Sequence, residues 1–139
     1  MRRALVFAAV LGLTLAACAD ASEPGADPTL SDWTLQSGTV DGTDIPIVAD
    51  HPITLTFEAD NAIAGSSACN SYFGGYTIEG ADISFTEMGS TMMACEPAEV
   101  MDSEGMYLDA MSKVDAFTAT EDSLTLTGDG VELVFAADA

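Results

Sequence analysis

Gly65-Ser-Ser-Ala-Cys-Asn-Ser-Tyr-Phe-Gly-Gly-Tyr76 is the stretch from which the fold is read. It holds a cysteine, an asparagine, two tyrosines, a phenylalanine and three glycines within twelve residues. Adjacent Gly74 and Gly75 can take backbone angles that other residues avoid, which predicts a sharp bend or a bulge. Asn70 can cap a turn through its side-chain amide. A second segment answers the first: Thr91-Met-Met-Ala-Cys-Glu-Pro-Ala-Glu-Val-Met-Asp-Ser-Glu104. Each segment supplies one cysteine, Cys69 and Cys95.

Outward from these segments the chain reads as short strands. Trp33-Thr-Leu35 and Ile53-Thr-Leu-Thr-Phe57 alternate apolar and polar residues, as half-buried strands do. Gly38 to Asp44 is turn-rich, and Ile45-Pro-Ile-Val48 is expected as a short edge strand, because Pro46 cannot donate to a ladder. Asp60-Asn61 is a turn leading through Ala62-Ile-Ala64 into the Gly65 segment, a predicted hairpin. Tyr76-Thr-Ile78 and Ile83-Ser-Phe85 flank Glu79-Gly-Ala-Asp82, a second one. Three more strands, Ala116–Thr120, Ser123–Thr127 and Val131–Phe135, follow with tight turns between them.

One helix interrupts the strands. Pro97 suits its first turn, and Glu99 and Asp102 favour its positive end. At 100° per residue Val100, Met101, Tyr107, Leu108, Met111 and Val114 share a face. The expected fold is therefore α+β: a mainly antiparallel curled sheet or partly closed barrel, packed on one α-helix at about 97–113.

The N-terminus gives an address. Met1-Arg2-Arg3 is followed by an apolar run from Ala4 to Leu13 and then by Leu15-Ala-Ala-Cys18. A basic start, a short apolar run and small residues before a cleavage point make a secretory signal, here 1–17. Leu-Ala-Ala-Cys resembles the lipobox of bacterial lipoproteins, which implies cleavage before Cys18 and lipidation of its thiol. The plainer reading is an ordinary signal with a chance cysteine. Ala19 after the cysteine favours sorting to the outer membrane, facing the periplasm. Residues 18–30, small and polar with two prolines, read as a flexible tether, and the domain as 31–139.

With Cys18 assigned to lipid, Cys69 and Cys95 remain as an even pair in an oxidising compartment. A bridge would close a loop of about 26 residues and stabilise by roughly 3 kcal/mol. Two free thiols and a metal site are the alternatives, and two cysteines with one distant histidine make a poor zinc set.

Composition narrows the partners. The formal charge is −20, and loss of Arg2 and Arg3 makes it −22, with Lys113 the only remaining lysine or arginine. Such a surface repels nucleic acid and anionic headgroups, and fits neutral or basic protein partners. It also suits a salty medium, since the acids are dispersed.

Glu104 is the sharpest anomaly, because it falls within the apolar helix face and a carboxylate there needs partners. It reads either as an acid in a pocket near Asn70, or as a buried acceptor for the Cys69-Asn70 loop backbone or for Trp33. The second reading is preferred, since an irregular loop needs its donors satisfied. Asn70, Tyr72, Tyr76 and Glu104 form the candidate structural or binding site. The methionines between Met88 and Met111 could bind copper(I), but they fit irregular core gaps better. His51 has no second histidine and Ser66-Ser67 no base, so no catalytic residue, metal site or cofactor is expected.

Taken together and in order, these segments resemble the META domain, the HslJ-like family of bacterial envelope proteins. The resemblance is carried by Trp33, Leu35, Gly65, Cys69-Asn70, Tyr72, Gly74 and Tyr76, then by Thr91, Met93-Ala94-Cys95, Pro97, Met101, Glu104 and Leu108, and finally by Leu124, Leu126, Gly130, Leu133 and Phe135. The chain departs from the pattern at Ala68, where glycine is usual, and at Ser71 and Met92, where arginines are common. The resemblance implies a small antiparallel β fold with one helix and no enzyme, and an association with heat shock or secretion. The expected function is that of a lipid-anchored envelope protein with a non-catalytic binding or envelope-stress role. The alternative is a periplasmic inhibitor of a protease or lysozyme-like hydrolase.

Overall fold

A computed structural model describes residues 25–139 of the chain. The expected signal peptide 1–17 and the expected lipidation site Cys18 lie outside the described residues. The elements are β1 (Asp32–Val40), β2 (Thr43–Asp44), β3 (Thr54–Glu58), β4 (Ala62–Ser66), β5 (Ser71–Glu79), β6 (Asp82–Ser90), α1 (Ala98–Lys113), β7 (Val114–Ala119), β8 (Ser123–Gly128) and β9 (Val131–Ala137). Neighbouring strands run antiparallel in the order β2-β1-β3-β4-β5-β6-β7-β8-β9. β1 also pairs with β9 from Trp33↔Ala137 to Val40↔Val131, so all strands but β2 close into a barrel. The sheet is thus closed rather than partly open, which removes the exposed edges that invite aggregation.

Period-2 alternation puts Trp33, Leu35, Leu55, Ile63, Ile83, Leu124, Leu126, Leu133 and Phe135 inside, all buried. Burying each such side chain contributes about 1.5–3 kcal/mol. Close approach decides two glycines. A Cβ on Gly65 would strike the carbonyl of Thr54 and the ring of Tyr72. A Cβ on Gly74 would lie 2.7 Å from Met88 Sδ. The bulge expected near Gly74 is there, as a register shift between Phe73 and Gly75 against β6. Its left-handed residue is Glu87 across the pair, at φ 52°, not either glycine.

Three expectations need correction. Ile45–Val48 is not a strand; pairing stops at Asp44. Ile45 N–H still donates to Gly38 O at 2.8 Å, and the Ser103 hydroxyl then donates to Pro46 O at 2.7 Å, tying the segment to α1. Gly38 to Val40 belongs to β1, not to a turn. On α1 the buried residues are Val100, Ser103, Glu104, Tyr107, Ala110 and Met111, while Met101 and Leu108 are half-buried. Val114 is buried too, but as the first residue of β7.

The barrel has two mouths. The β6–β7 connection places α1 at one, together with the 67–70 loop and the 45–53 segment. α1 touches β1 and β6, which lie on opposite sides of the ring, so it spans that mouth. The other mouth receives residues 25–31. Ala26 N–H donates to Ala119 O at 3.1 Å. Buried Pro28 accepts from Trp33 Nε1 at 2.8 Å. Ala26 and Pro28, expected in the tether, therefore pack on the domain instead, while Leu30 stays exposed. The reason is that the buried Trp33 indole requires an acceptor.

Candidate functional site

The 67–70 loop turns sharply between β4 and β5. Ser67 N–H donates to Asn70 O at 2.8 Å, closing the turn. Ala68 takes φ 87°, in the left-handed region. That angle strains alanine by about 1–2 kcal/mol. Its buried methyl recovers about 0.8 kcal/mol, and an alanine loses less freedom on folding than a glycine would. Alanine is therefore tolerated where the resemblance leads one to expect glycine.

α1 brings Glu104 beneath this turn, 6% exposed. Oε2 accepts from Ser67 Oγ at 2.6 Å and from Asn70 N–H at 2.7 Å. Oε1 accepts from Asn70 Nδ2 at 2.7 Å. The other Nδ2 proton goes to Met93 O at 3.1 Å. Asn70 Oδ1 accepts from Met93 N–H at 2.6 Å and Thr91 Oγ1 at 3.0 Å. Every donor and acceptor of the Asn70 amide is used, and its orientation is fixed by backbone on one side and carboxylate on the other. The cluster ties together the 67–70 loop, the 91–93 segment and α1. Cys69 and Cys95 are disulfide-bonded beside it, with Cα atoms 5.8 Å apart. Among the described residues, no buried side-chain nitrogen or oxygen lacks a partner.

Burial pushes the Glu104 carboxyl up and is the largest single influence. Hydrogen bonds from Ser67, from the Asn70 side chain and from the Asn70 and Cys69 backbone together outweigh it, and hold the group below its ordinary value. Glu104 is thus a buried anion stabilised by donors. Its oxygens face N–H and O–H groups, which leaves no lone-pair cage for a cation. Ser67 is fully buried and directs its proton at a carboxylate, so it is not a nucleophile within reach of solvent. Among the described residues, no group of three His, Cys, Asp or Glu side chains is placed to hold a metal.

Tyr72 and Tyr107 form the second buried polar pair. Tyr72 OH lies 2.7 Å from Thr54 O and 2.7 Å from Tyr107 OH. Thr54 O can only accept, so Tyr72 donates to it and Tyr107 donates to Tyr72. Burial raises both phenols, and the neighbouring Tyr72 raises Tyr107 further. The rings meet edge to face at 5.5 Å, and Tyr107 does so again with Phe135 at 6.4 Å. This aromatic column joins α1 to the barrel floor.

Of the residues singled out in the sequence, Asn70 and Glu104 meet directly, and the disulfide flanks them. Tyr72 pairs instead with Tyr107 and the Thr54 carbonyl. Tyr76 does not join them; it packs edge-on against Phe57 with centroids 4.9 Å apart, further along β5. Trp33 does not serve Glu104, since its indole is committed to Pro28 O. Ser67 and Thr91 were missed as partners in the Asn70–Glu104 cluster, and Tyr107 as the partner of Tyr72. Ser67 carried a usable signal: a hydroxyl three residues before Asn70, inside a turn that also had to receive a carboxylate.

A family profile described as the META domain matches residues 26–139. The chain belongs to the META domain family. The match begins at Ala26, whose N–H bonds to Ala119 O of the barrel. Solved structures agree with this META fold. A protein from Burkholderia xenovorans, solved by NMR, is 29% identical with a TM-score of 0.68, over 78% of this chain and 82% of that one. A second NMR structure is 20% identical with a TM-score of 0.61, over 78% and 89%. A DUF4847 family protein from Bacteroides vulgatus is 13% identical with a TM-score of 0.57, over 78% and 92%; at this identity the likeness is one of fold. No curated protein matches the chain. The META domain is not a known catalytic family.

Proposed function

We propose that this META domain is a lipid-anchored protein of the bacterial cell envelope, held at the outer membrane by Cys18, that acts by binding and not by catalysis. The observation that carries the non-catalytic reading is the state of Glu104. Among the described residues the one strongly buried carboxylate, it spends both oxygens on loop donors and so acts as scaffold. What remains for recognition is the outer surface. Its charge is −20 for the whole chain, and it bears exposed Phe73, Met92 and Met93. An acidic surface with scattered apolar contacts suits a neutral or basic envelope protein, with on-rate and specificity helped by charge. Such binding would serve an envelope under heat or similar stress.

The test is affinity capture from envelope extract on the immobilised domain, eluted with rising salt. The expected result is one saturable protein released as salt screens the charges. If that protein is a hydrolase whose activity falls stoichiometrically, the role is inhibition. Turnover of any substrate, abolished by one point substitution, would overturn the non-catalytic reading.

A further inference from the structure

The mouth of the barrel opposite α1 is only partly covered. Ala26 and Pro28 lie across it on one side. Ile78, Ala81, Phe117 and Ala119 face them, leaving a groove of about 680 Å³. Its walls are mostly carbon. It opens at the thinnest seam of the barrel, where β6 and β7 share a single register pair, Asp82↔Ala116. An added peptide strand has little to bond to there. Ala119 O already accepts from Ala26 N–H, and Phe117 N–H already donates to Ala81 O at 3.0 Å. The site suits a flexible chain without polar groups, which a bilayer lipid or a long-chain thioether would supply.

The position of the groove selects between these sources. Gly25 stands at its rim, and Cys18 precedes Gly25 by seven residues. Seven residues reach at most about 25 Å, at roughly 3.3–3.6 Å each. Any group carried on Cys18 is therefore held within that radius, at an effective concentration of order millimolar for a short linker. An aliphatic chain brings no charge, so the acidic surface does not oppose its entry. We infer that this groove binds one long saturated acyl chain, supplied by the lipid on Cys18 of the same molecule. The inference rests on the lipoprotein reading above. Its consequence is a lipidated protein that can shield one chain while it crosses an aqueous compartment and release it into a bilayer on arrival.

The experiment uses residues 18–139 with the disulfide intact, which leaves Cys18 as the only free thiol in the sequence. Cys18 is alkylated with a hexadecyl group in one sample and a methyl group in the other. Amide chemical shifts and sedimentation are compared without detergent. The expected result is shift changes confined to the groove, at Ile78, Ala81, Phe117 and Ala119, with the hexadecyl protein monomeric. Two variants should abolish those shifts and promote self-association: Phe117→Glu, which charges the wall, and Ala81→Trp, which fills the groove from an exposed turn. A dispersed spectrum identifies whichever variant folds. Shift changes elsewhere, or groove shifts that survive in a folded variant, would overturn the site. Intact mass of the protein taken from cells reads the anchor separately. Groove shifts in the synthetic protein with a bare Cys18 in cells would overturn the anchor as occupant.

Discussion

Replacing Glu104 with glutamine preserves shape and removes charge, and the geometry gives the result. Suppose the amide oxygen takes the place of Oε2. It still accepts from Ser67 Oγ and Asn70 N–H, but as a neutral acceptor, so each bond falls from about 1.5–3 to about 0.5–1.5 kcal/mol. The amide nitrogen then faces Asn70 Nδ2, which stands 2.7 Å from Oε1 in the native protein, donor against donor. Asn70 cannot flip to relieve this without losing Met93 N–H and Thr91 Oγ1 from its Oδ1. Reversing the glutamine instead sets its NH₂ against Asn70 N–H. Either way one buried donor is left unpaired, at about 1–3 kcal/mol. The expected destabilisation is about 3 kcal/mol, a fall in Tm of roughly 12 °C for a domain of this size.

The pH dependence sharpens the test. Folding lowers the Glu104 pKa, so the unfolded chain binds more protons through the interval between the two values, and stability there rises with pH. The contribution is fully present above the ordinary glutamate value, roughly 4.3, and is lost as pH falls through the lower folded value. Wild type and Glu104→Gln should therefore differ by the full amount at pH 7 and converge in acid, once both side chains are neutral. Comparing the two cancels the general relief of acidic self-repulsion. Urea denaturation at a series of pH values measures the gap. A variant as stable as wild type at pH 7, or a gap that does not narrow in acid, would refute the structural role. Loss of partner binding with unchanged melting would move Glu104 to the functional surface.

Other outcomes follow from the same geometry. Replacing Cys69 and Cys95 together with serine should lower stability by about 3 kcal/mol, since the bridge spans a sequence separation of 26; the shift in urea midpoint reports it. Tyr72→Phe should destabilise more than Tyr107→Phe when both are melted. The first leaves Thr54 O and the Tyr107 hydroxyl without their partner, at about 1–3 kcal/mol. The second removes one donor while Tyr72 keeps its bond to Thr54 O, at about 1 kcal/mol. Gly65→Ala should cost about 2–3 kcal/mol through overpacking against the Thr54 carbonyl and Tyr72. Gly42→Ala, whose added Cβ meets open space, serves as a comparison limited to φ strain at 81°.

Much of the fold was legible because alternation and turn chemistry are local. Ile53–Phe57, Ser123–Thr127 and Val131–Phe135 fall on β3, β8 and β9 within a residue or two, and the helix at about 97–113 is Ala98–Lys113. A curled sheet or partly closed barrel was legible from the short strands and tight turns, but the pairing that seals it was not, because Trp33↔Ala137 joins residues at opposite ends of the domain and no local pattern records it. The Ile45–Val48 segment misled for a related reason. Its Pro46 carbonyl is held by a long-range bond from Ser103 of α1, which period-2 reading cannot see. At the site, the apolar helix face made Glu104 visible as an anomaly. Its partner Asn70 was named because an asparagine beside a cysteine in a glycine-rich turn is chemically conspicuous. Tyr107 looks ordinary in sequence, and only the approach of α1 to Tyr72 of β5 gives its hydroxyl a role. Tyr76 was grouped with the site by proximity along β5, but an extended strand carries it well beyond Tyr72.

Both the proposed role and the acyl groove require a lipid on Cys18, so the most direct measurement is the intact mass of the protein extracted from cell membranes. The expected mass is that of a chain starting at Cys18 and carrying fatty acyl groups, with the Cys69–Cys95 bridge intact. A chain that starts elsewhere, or that bears an unmodified Cys18 and is recovered in the soluble fraction, would contradict the proposed anchoring.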